Sequence, residues 1–385
     1  MRLALLIDRW QPRRGGAEVA LEALAQHMLR AGDEVLAFAC EGPRAGESTA
    51  AEFVQVGFRR VTGLFGRGAM ERARGRALMG AAERAGAHVT LGVRHLDKVD
   101  VLWLHGGCHA DTQEALYRAR NGGELPPGGL ELSGRHRTFV DFERAALEGG
   151  ARCVICPSEL VRQQVLARYP SAEPRLVVAP SGVDLERFHP RERDAATQRL
   201  RQRVGAAAHE KLVVLAARNP ELKGFPDMLA ALAPLQHLPW RLVLAGVKRR
   251  SRWQRLAANK GLATRVSVVG DMDSVELAAG ADLCVLPTWR DTSGLVLLEA
   301  LACGTPVLTT RFAGAADLLV GSGAGQVLAA PNARAEWTRA LAEELGKEGD
   351  TAEREATRRT VLERGAEVWL EEVARVCRGL NGATE

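Results

Sequence analysis

Pro287-Thr288-Trp289-Arg290-Asp291-Thr292-Ser293-Gly294-Leu295-Val296-Leu297-Leu298-Glu299-Ala300-Leu301-Ala302-Cys303-Gly304-Thr305-Pro306 is the stretch whose reading decides the fold. An apolar run ends at Leu286 and another begins at Val307-Leu308. The stretch therefore reads as a buried strand, a polar loop, a helix from about Leu295, and a Gly-Thr-Pro stop before the next strand. Gly304 suits the left-handed residue just past a helix end, and Pro306 cannot continue the helix. Asp291 then falls in a loop at the carboxyl end of a strand and Glu299 in the second turn of the helix. In an open α/β sheet that edge binds ligands.

The backbone N–H groups of Gly294, Leu295 and Val296 would be the unpaired donors of a helix N-terminus, placed to cradle a phosphate. The Glu299 carboxylate suits a vicinal diol such as ribose, and Asp291, with the backbone of Thr292, Ser293 and Gly294, suits a sugar. The alternative is that Asp291 caps the helix and Glu299 lies on a solvated face.

Asp291, seven intervening residues and Glu299, within Gly294-Leu-Val-Leu-Leu-Glu-Ala-Leu-Ala-Cys-Gly-Thr-Pro-Val307, resemble the signature of retaining nucleotide-sugar glycosyltransferases of family 4. The resemblance implies the GT-B fold, an α/β architecture of two Rossmann-like domains with parallel sheets facing across a cleft. Asp291 stands where that family usually has Glu, one methylene longer.

The composition agrees with two such domains. A chain of 385 residues is too long for one ordinary core and fits two domains of roughly 180 residues. Apolar residues at 46% and charged residues at 26% are those of a soluble globular protein. The formal net charge of +5 permits an anionic small molecule or an acidic membrane surface, without the charge blocks of a nucleic-acid arm. Seven unevenly spaced cysteines point to a reducing compartment. Cys153 and Cys156 form a Cys-x-x-Cys pair on a strand, where they face opposite sides and cannot share a metal. Met1 to Ile7 is apolar but is interrupted at Asp8, too short for a signal sequence or a membrane span. The expectation is a cytoplasmic protein, or one peripheral on the cytoplasmic face of the inner membrane.

From the N-terminus, 2–7 reads as a buried strand, 8–16 as a loop, 17–31 as a helix and 35–39 as a second strand. Gly15-Gly16 lacks the full Gly-x-Gly-x-x-Gly of a dinucleotide site, which disfavours a nicotinamide cofactor. In the resembled family the matching Gly-Gly loop lets donor phosphate or sugar approach the backbone; the alternative is a tight turn. Further strands are expected at 53–56, 89–93, 99–104, 153–156 and 176–179, with helices at 69–85, 111–121, 137–147 and 158–168, the last capped by Ser158. His105-Gly-Gly-Cys108-His109 follows a strand. Its two histidines and cysteine lack a second cluster with ligand spacing. A histidine here either touches donor or acceptor sugar or is satisfied by the backbone, and the family often carries one at this place.

The Gly/Pro-rich basic segments 117–129 and 133–137 are the candidate acceptor-side or membrane-facing insertion. Arg59, Arg60, Arg67, Arg72, Arg74 and Arg76 add charge to the same half, either there or on a solvated face. The stretch 178–184 resembles the family's domain crossing, which gives domains at 1–183 and 184–364, with a helix at about 365–385 packing back on the first. Polar 186–203 reads as linker and helix. The second sheet is expected from 211–217, 241–245, 266–269 and 282–286, with helices near Asp227, Arg252, Ser274 and Leu295. A long tail helix is expected over 352–380, with Val361, Val368, Val373 and Val376 as bridging apolar residues.

Arg218-Asn-Pro-Glu-Leu-Lys223-Gly224 follows the first strand of that sheet. A guanidinium grips diphosphate oxygens bidentately while an ammonium acts as a point charge on the leaving group. The pair resembles the family's Arg-to-Lys-Gly phosphate motif. Asp271-Met-Asp273 mimics an Asp-x-Asp metal motif, but Asp273 is placed to cap the helix from Ser274; no obligatory metal and no cofactor are expected. Phe139-Val-Asp-Phe142-Glu143-Arg144-Ala145 and Val307-Leu-Thr-Thr310 with Gly314 are similar to lipopolysaccharide core glucosyltransferases, which implies a UDP-glucose-like donor and a glycan or glycolipid acceptor. The alternatives on the same fold are a nucleotide-sugar epimerase and a sugar-nucleotide-binding protein without turnover.

Overall fold

The computed structural model describes residues 1–11, 15–44, 46–58, 66–93 and 96–381. The first half alternates strand and helix: β1 (Arg2–Leu6), α1 (Gly16–Arg30), β2 (Glu34–Ala39), β3 (Glu52–Gln55), α2 (Gly66–Arg84), β4 (Val89–Gly92), β5 (Val99–Trp103), α3 (His109–Arg120), α4 (Arg135–Ala145), β6 (Ala151–Cys156), α5 (Glu159–Arg168) and β7 (Leu176–Val178). All strands are parallel, in the order β3-β2-β1-β4-β5-β6-β7. Apolar residues fill both sides because both faces are covered. Leu3 and Leu5 pack with Leu21, Leu24 and Met28 of α1, whereas Ala4 and Leu6 face Leu78 and Ala82 of α2. Ser158 caps α5, accepting from the N–H of Val161 at 3.3 Å.

The second half repeats the pattern: α6 (Arg193–Val204), β8 (Lys211–Ala216), α7 (Phe225–Leu232), β9 (Trp240–Ala245), α8 (Arg250–Asn259), β10 (Val266–Val268), α9 (Ser274–Gly280), β11 (Leu283–Leu286), α10 (Leu295–Ala302), β12 (Val307–Thr310), β13 (Gly325–Leu328), α11 (Arg334–Leu345), α12 (Thr351–Arg359) and α13 (Ala366–Asn381). Its parallel sheet runs β10-β9-β8-β11-β12-β13. Val213 and Leu215 meet Phe225, Met228 and Leu229 on one side; Leu212 and Val214 meet Leu200 and Leu277 on the other. The expected α/β fold with two Rossmann-like parallel sheets is what the chain adopts.

By its internal contacts the chain divides into one unit of Met1–Gln113, Gly128–Pro180 and Glu367–Glu385, and a second of Glu114–Pro127 and Ser181–Ala366. Two readings of the sequence need correction. The tail is not one helix: α12 ends at Arg359 and α13 starts at Ala366, because the intervening chain turns to pair with 183, where the N–H of Val183 donates to the carbonyl of Arg364 at 2.8 Å and Ala366 donates to Val183 at 2.9 Å. Val368 is 64% exposed and bridges nothing, while Val361 belongs to the core of the second unit and Val373 to that of the first. The basic segment is also no free insertion along its whole length. Arg118 donates to the carbonyl of Gly123, Arg120 pairs with Glu221 at 3.0 Å, and Asn332 donates to the carbonyl of Gly122 at 2.9 Å.

All seven cysteines are free, and six are buried. Cys153 and Cys156 are among them, and burial raises both thiols above their ordinary pKa. Arg74 pairs with Glu71 at 2.9 Å, whereas Arg72 and Arg76 are exposed. Arg59, Arg60 and the side chain of Arg67 lie outside the described residues, as do residues 12–14 of the loop before Gly15. Among the described residues no helix is long and apolar enough to cross a membrane.

Candidate active site

Strand order in the second sheet reverses between β8 and β11, and at such a point the loops leaving the two strands diverge and open a crevice. Arg218 and Lys223 lie on the loop after β8, and Asp291 and Glu299 on the loop and helix after β11. The sequence thus delivers four candidate residues to one sheet edge.

The β11–α10 loop is fastened on both sides. The N–H of Trp289 donates to the carbonyl of Leu222 at 2.9 Å and its indole to Asp227 at 3.1 Å. The N–H of Asp291 donates to the carbonyl of Phe312, and that of Gly314 to the carbonyl of Asp291, each at 2.9 Å. Gly224 has φ +70°, and a Cβ there would run into the carbonyl oxygen of Pro287, so only glycine fits. Gly294 caps α10 with φ +73°.

Lys223 and Asp291, 68 positions apart, form the centre of the arrangement. The ammonium donates to Oδ2 of Asp291 at 2.6 Å and to the carbonyl of Arg290 at 3.1 Å. Oδ1 of Asp291 accepts from the N–H groups of Ser293 at 3.2 Å and Gly294 at 2.8 Å. Burial would raise the pKa of Asp291, but Lys223 and these two N–H groups outweigh it and hold the carboxyl below its ordinary value. The Gly294 N–H is therefore not an open donor, which corrects one of the three phosphate contacts read from the sequence. Leu295 and Val296 begin the helix, where no intrahelical carbonyl reaches the N–H. Ser293 is buried and accepts a hydrogen bond from the hydroxyl of Ser181 at 2.9 Å; Thr292 is half-buried beside it.

Glu299 has the opposite character. Among the described residues no hydrogen bond or ion pair reaches its carboxylate. Burial pushes its pKa up to about 7, against the pull of Arg187 and with a smaller push from Asp273. Asp273 caps α9, accepting from Val275 at 2.7 Å, and Arg187 donates to Ser274 at 3.3 Å. Arg218 is half-exposed and lies 3.4 Å from Asp271. Sequence reasoning missed Arg187, Asp227 and Trp289. Arg187 hid in a polar run, and the Asp227–Trp289 bond spans 62 positions with no local signal.

The other candidates belong to the first unit. Gly15 precedes α1 with an extended φ of −158°, so it is not a left-handed turn, and Gly16 opens the helix. They follow β1, at the point where the order of the first sheet reverses. His105 is buried, its ring 5.3 Å from that of Trp103. His109 opens α3; its N–H donates to Glu143 at 2.6 Å and its ring stacks on His136, with Nε2 2.9 Å from Nδ1. Glu143 also accepts from the hydroxyl of Tyr169 at 3.0 Å.

Residues 14–187 match the family model described as Glycosyltransferase Family 4, and residues 210–346 match that described as Glycosyl transferases group 1. The chain thus carries a Glycosyltransferase Family 4 domain followed by a Glycosyl transferases group 1 domain. The chain is 28% identical over 252 residues to the lipopolysaccharide glucosyltransferase WaaG of Escherichia coli (strain K12), covering 63% of each chain. It is 31% identical over 192 residues to a D-inositol 3-phosphate glycosyltransferase of Corynebacterium jeikeium (strain K411), covering 46% of this chain and 45% of the relative. The matches thus span 63% and 45% of these relatives' lengths. A solved structure of WaaG, a glycosyltransferase involved in lipopolysaccharide biosynthesis, superposes with TM-score 0.81 at 23% identity, covering 98% of this chain and all of that one. The Anabaena protein HepE, solved in complex with UDP-glucose, superposes with TM-score 0.73 at 17% identity over 99% of this chain and all of HepE. These likenesses show the GT-B fold.

Proposed function

We propose that this glycosyltransferase moves a hexose, glucose by preference, from a UDP-sugar to a glycan or lipid-linked acceptor of the lipopolysaccharide-core kind, with retention of configuration. The observation that carries the reading is Glu299, a half-buried carboxylate with no hydrogen bond or ion pair among the described residues, on the same sheet edge as Lys223 and Arg218. A ribose diol supplies the two donors that such a carboxylate lacks. The sugar–phosphate bond breaks toward a diphosphate, so negative charge grows on the leaving group; Lys223 and Arg218, with the start of α10, are the preorganised positive charge for it. Asp291 holds the Lys223 ammonium and the donor loop in place, and the backbone through Thr292 and Ser293 orients the sugar.

In this reading the cations of the protein serve in place of an obligatory divalent metal, and no further cofactor takes part. In the first unit, Gly15 and Gly16 are the proposed contacts for donor phosphate or sugar, and His105 and His109 those for a sugar. The similarity to a lipopolysaccharide glucosyltransferase supports the acceptor class, and peripheral contact with an inner-membrane surface is part of the same proposal. The test is release of UDP from labelled UDP-sugars with and without cell-envelope glycolipid. Acceptor-dependent release with a retained anomer is expected. Glu299→Ala and Lys223→Ala are each expected to lower kcat/KM at least a hundredfold with the fold intact by circular dichroism; full activity in either would overturn the assignment, and isomerised sugar without acceptor would make the enzyme an epimerase.

A further inference from the structure

The opposite edge of the second sheet, at the amino ends of its strands, holds a cavity of about 200 Å³. It is lined by Lys211 at the start of β8, Asp282 just before β11, Glu344 at the end of α11, Lys347, and Glu353 and Arg354 of α12.

The acids of this wall are already engaged. Asp282 accepts from Arg193 at 2.6 Å and from the N–H of Leu212 at 2.8 Å. Glu344 holds Lys347 at 2.6 Å, and Glu353 completes the capping box of α12 with Asp350. Of the cations, Lys347 is matched by Glu344, whereas Arg354 and Lys211 are not matched in the same way. Nη1 of Arg354 is buried with no hydrogen-bond partner among the described residues. Nor, among those residues, does the Lys211 ammonium have a hydrogen bond or ion pair. A buried donor without an acceptor is a standing cost that a ligand oxygen removes.

We propose that this cavity is a second binding site, separate from the donor site, for a small oxyanion of the phosphate-monoester type, gripped by Arg354 and neutralised by Lys211. The planar guanidinium offers forked donors to a tetrahedral oxyanion and the ammonium a mobile point charge. The cavity is smaller than the roughly 300–1,000 Å³ of sites that enclose a drug-sized ligand. It takes the anionic group of a small metabolite and has no room for a nucleotide sugar. Burial, and then the nearby Arg193, lower the pKa of Arg354, and a bound anion acts in the reverse direction.

The test is calorimetric titration of inorganic phosphate into the full chain at constant ionic strength, with excess UDP present so that the donor site is filled, and with chloride as the parallel arm. Saturable binding of phosphate and none of chloride is expected. Arg354→Met and Lys211→Met should each weaken phosphate at least tenfold while the UDP affinity holds, and Lys223→Ala should leave phosphate binding unchanged. Should Arg354→Met fail to fold, Arg354→Lys and Lys211→Met decide the matter. Equal responses to phosphate and chloride, unaltered phosphate binding in the Arg354 and Lys211 variants, or its loss in Lys223→Ala would overturn the proposal.

Discussion

Glu299 and Asp291 show how one loop and its helix set two carboxylates apart. Asp291 is ionised by its partners, whereas Glu299 is half-buried with no hydrogen bond or ion pair among the described residues, and desolvation raises its pKa from the ordinary 4.5 to about 7. The folded protein therefore holds the Glu299 proton more tightly than the unfolded chain. Its contribution to stability is fully present below about pH 4.5 and is lost as pH rises through 7. Glu299→Gln should accordingly be more stable than the parent at pH 8, by on the order of 2 kcal/mol, with the difference shrinking toward pH 5 in denaturant melts. On the proposed function donor binding needs the ionised form, so affinity for a UDP-sugar should rise about tenfold from pH 6 to pH 8 in the parent and stay flat in Glu299→Gln. The positions of both carboxylates were legible from the spacing of residues 287–306. Their division of labour was not, because Lys223 is 68 positions away and nothing local says that its ammonium closes on Asp291.

The element that matters most is the pair of loops after β8 and β11. Gly224 lets them touch: its backbone lies against the carbonyl of Pro287 in a conformation that other residues resist. Gly224→Ala is expected to destabilise the second unit by about 1–3 kcal/mol and to weaken the UDP-sugar at least tenfold, measured by thermal melts and calorimetry. That this glycine follows a lysine was visible in the sequence; the carbonyl that makes it obligatory was not. The same limit explains the elements that were missed. β13 starts at Gly325, where a side chain would collide with Val307, so its pattern is too short and too small to read as a strand. The break between α12 and α13 comes from backbone pairing with Val183, and Gly182 and Gly365 meet there at a distance that admits no side chain. Helical periodicity runs through 352–380 unbroken, and tertiary pairing overrides it.

Over the whole chain, two doubly wound sheets could be read because the central strands are apolar on both faces and a helix follows most of them in turn. The C-terminal helix is tied to the first unit, far away in sequence. Trp369 packs edge-on against Trp103 at 5.6 Å, His27 meets Glu367 and Glu371 at 3.0 and 2.9 Å, and Arg378 reaches Asp33 at 3.0 Å. Trp369→Ala should cost about 3–5 kcal/mol of stability, read as an earlier unfolding transition of the first unit in a denaturant melt. The buried thiols supply a way to watch it happen. Cys377 lies in the core of the first unit and Cys284 and Cys303 in that of the second, and burial pushes all three up to about 12, so they are protonated and shielded at neutral pH. An alkylating dye would therefore reach these three thiols only when their own half opens, and peptide mapping of the adducts would time the two events separately in a single tube.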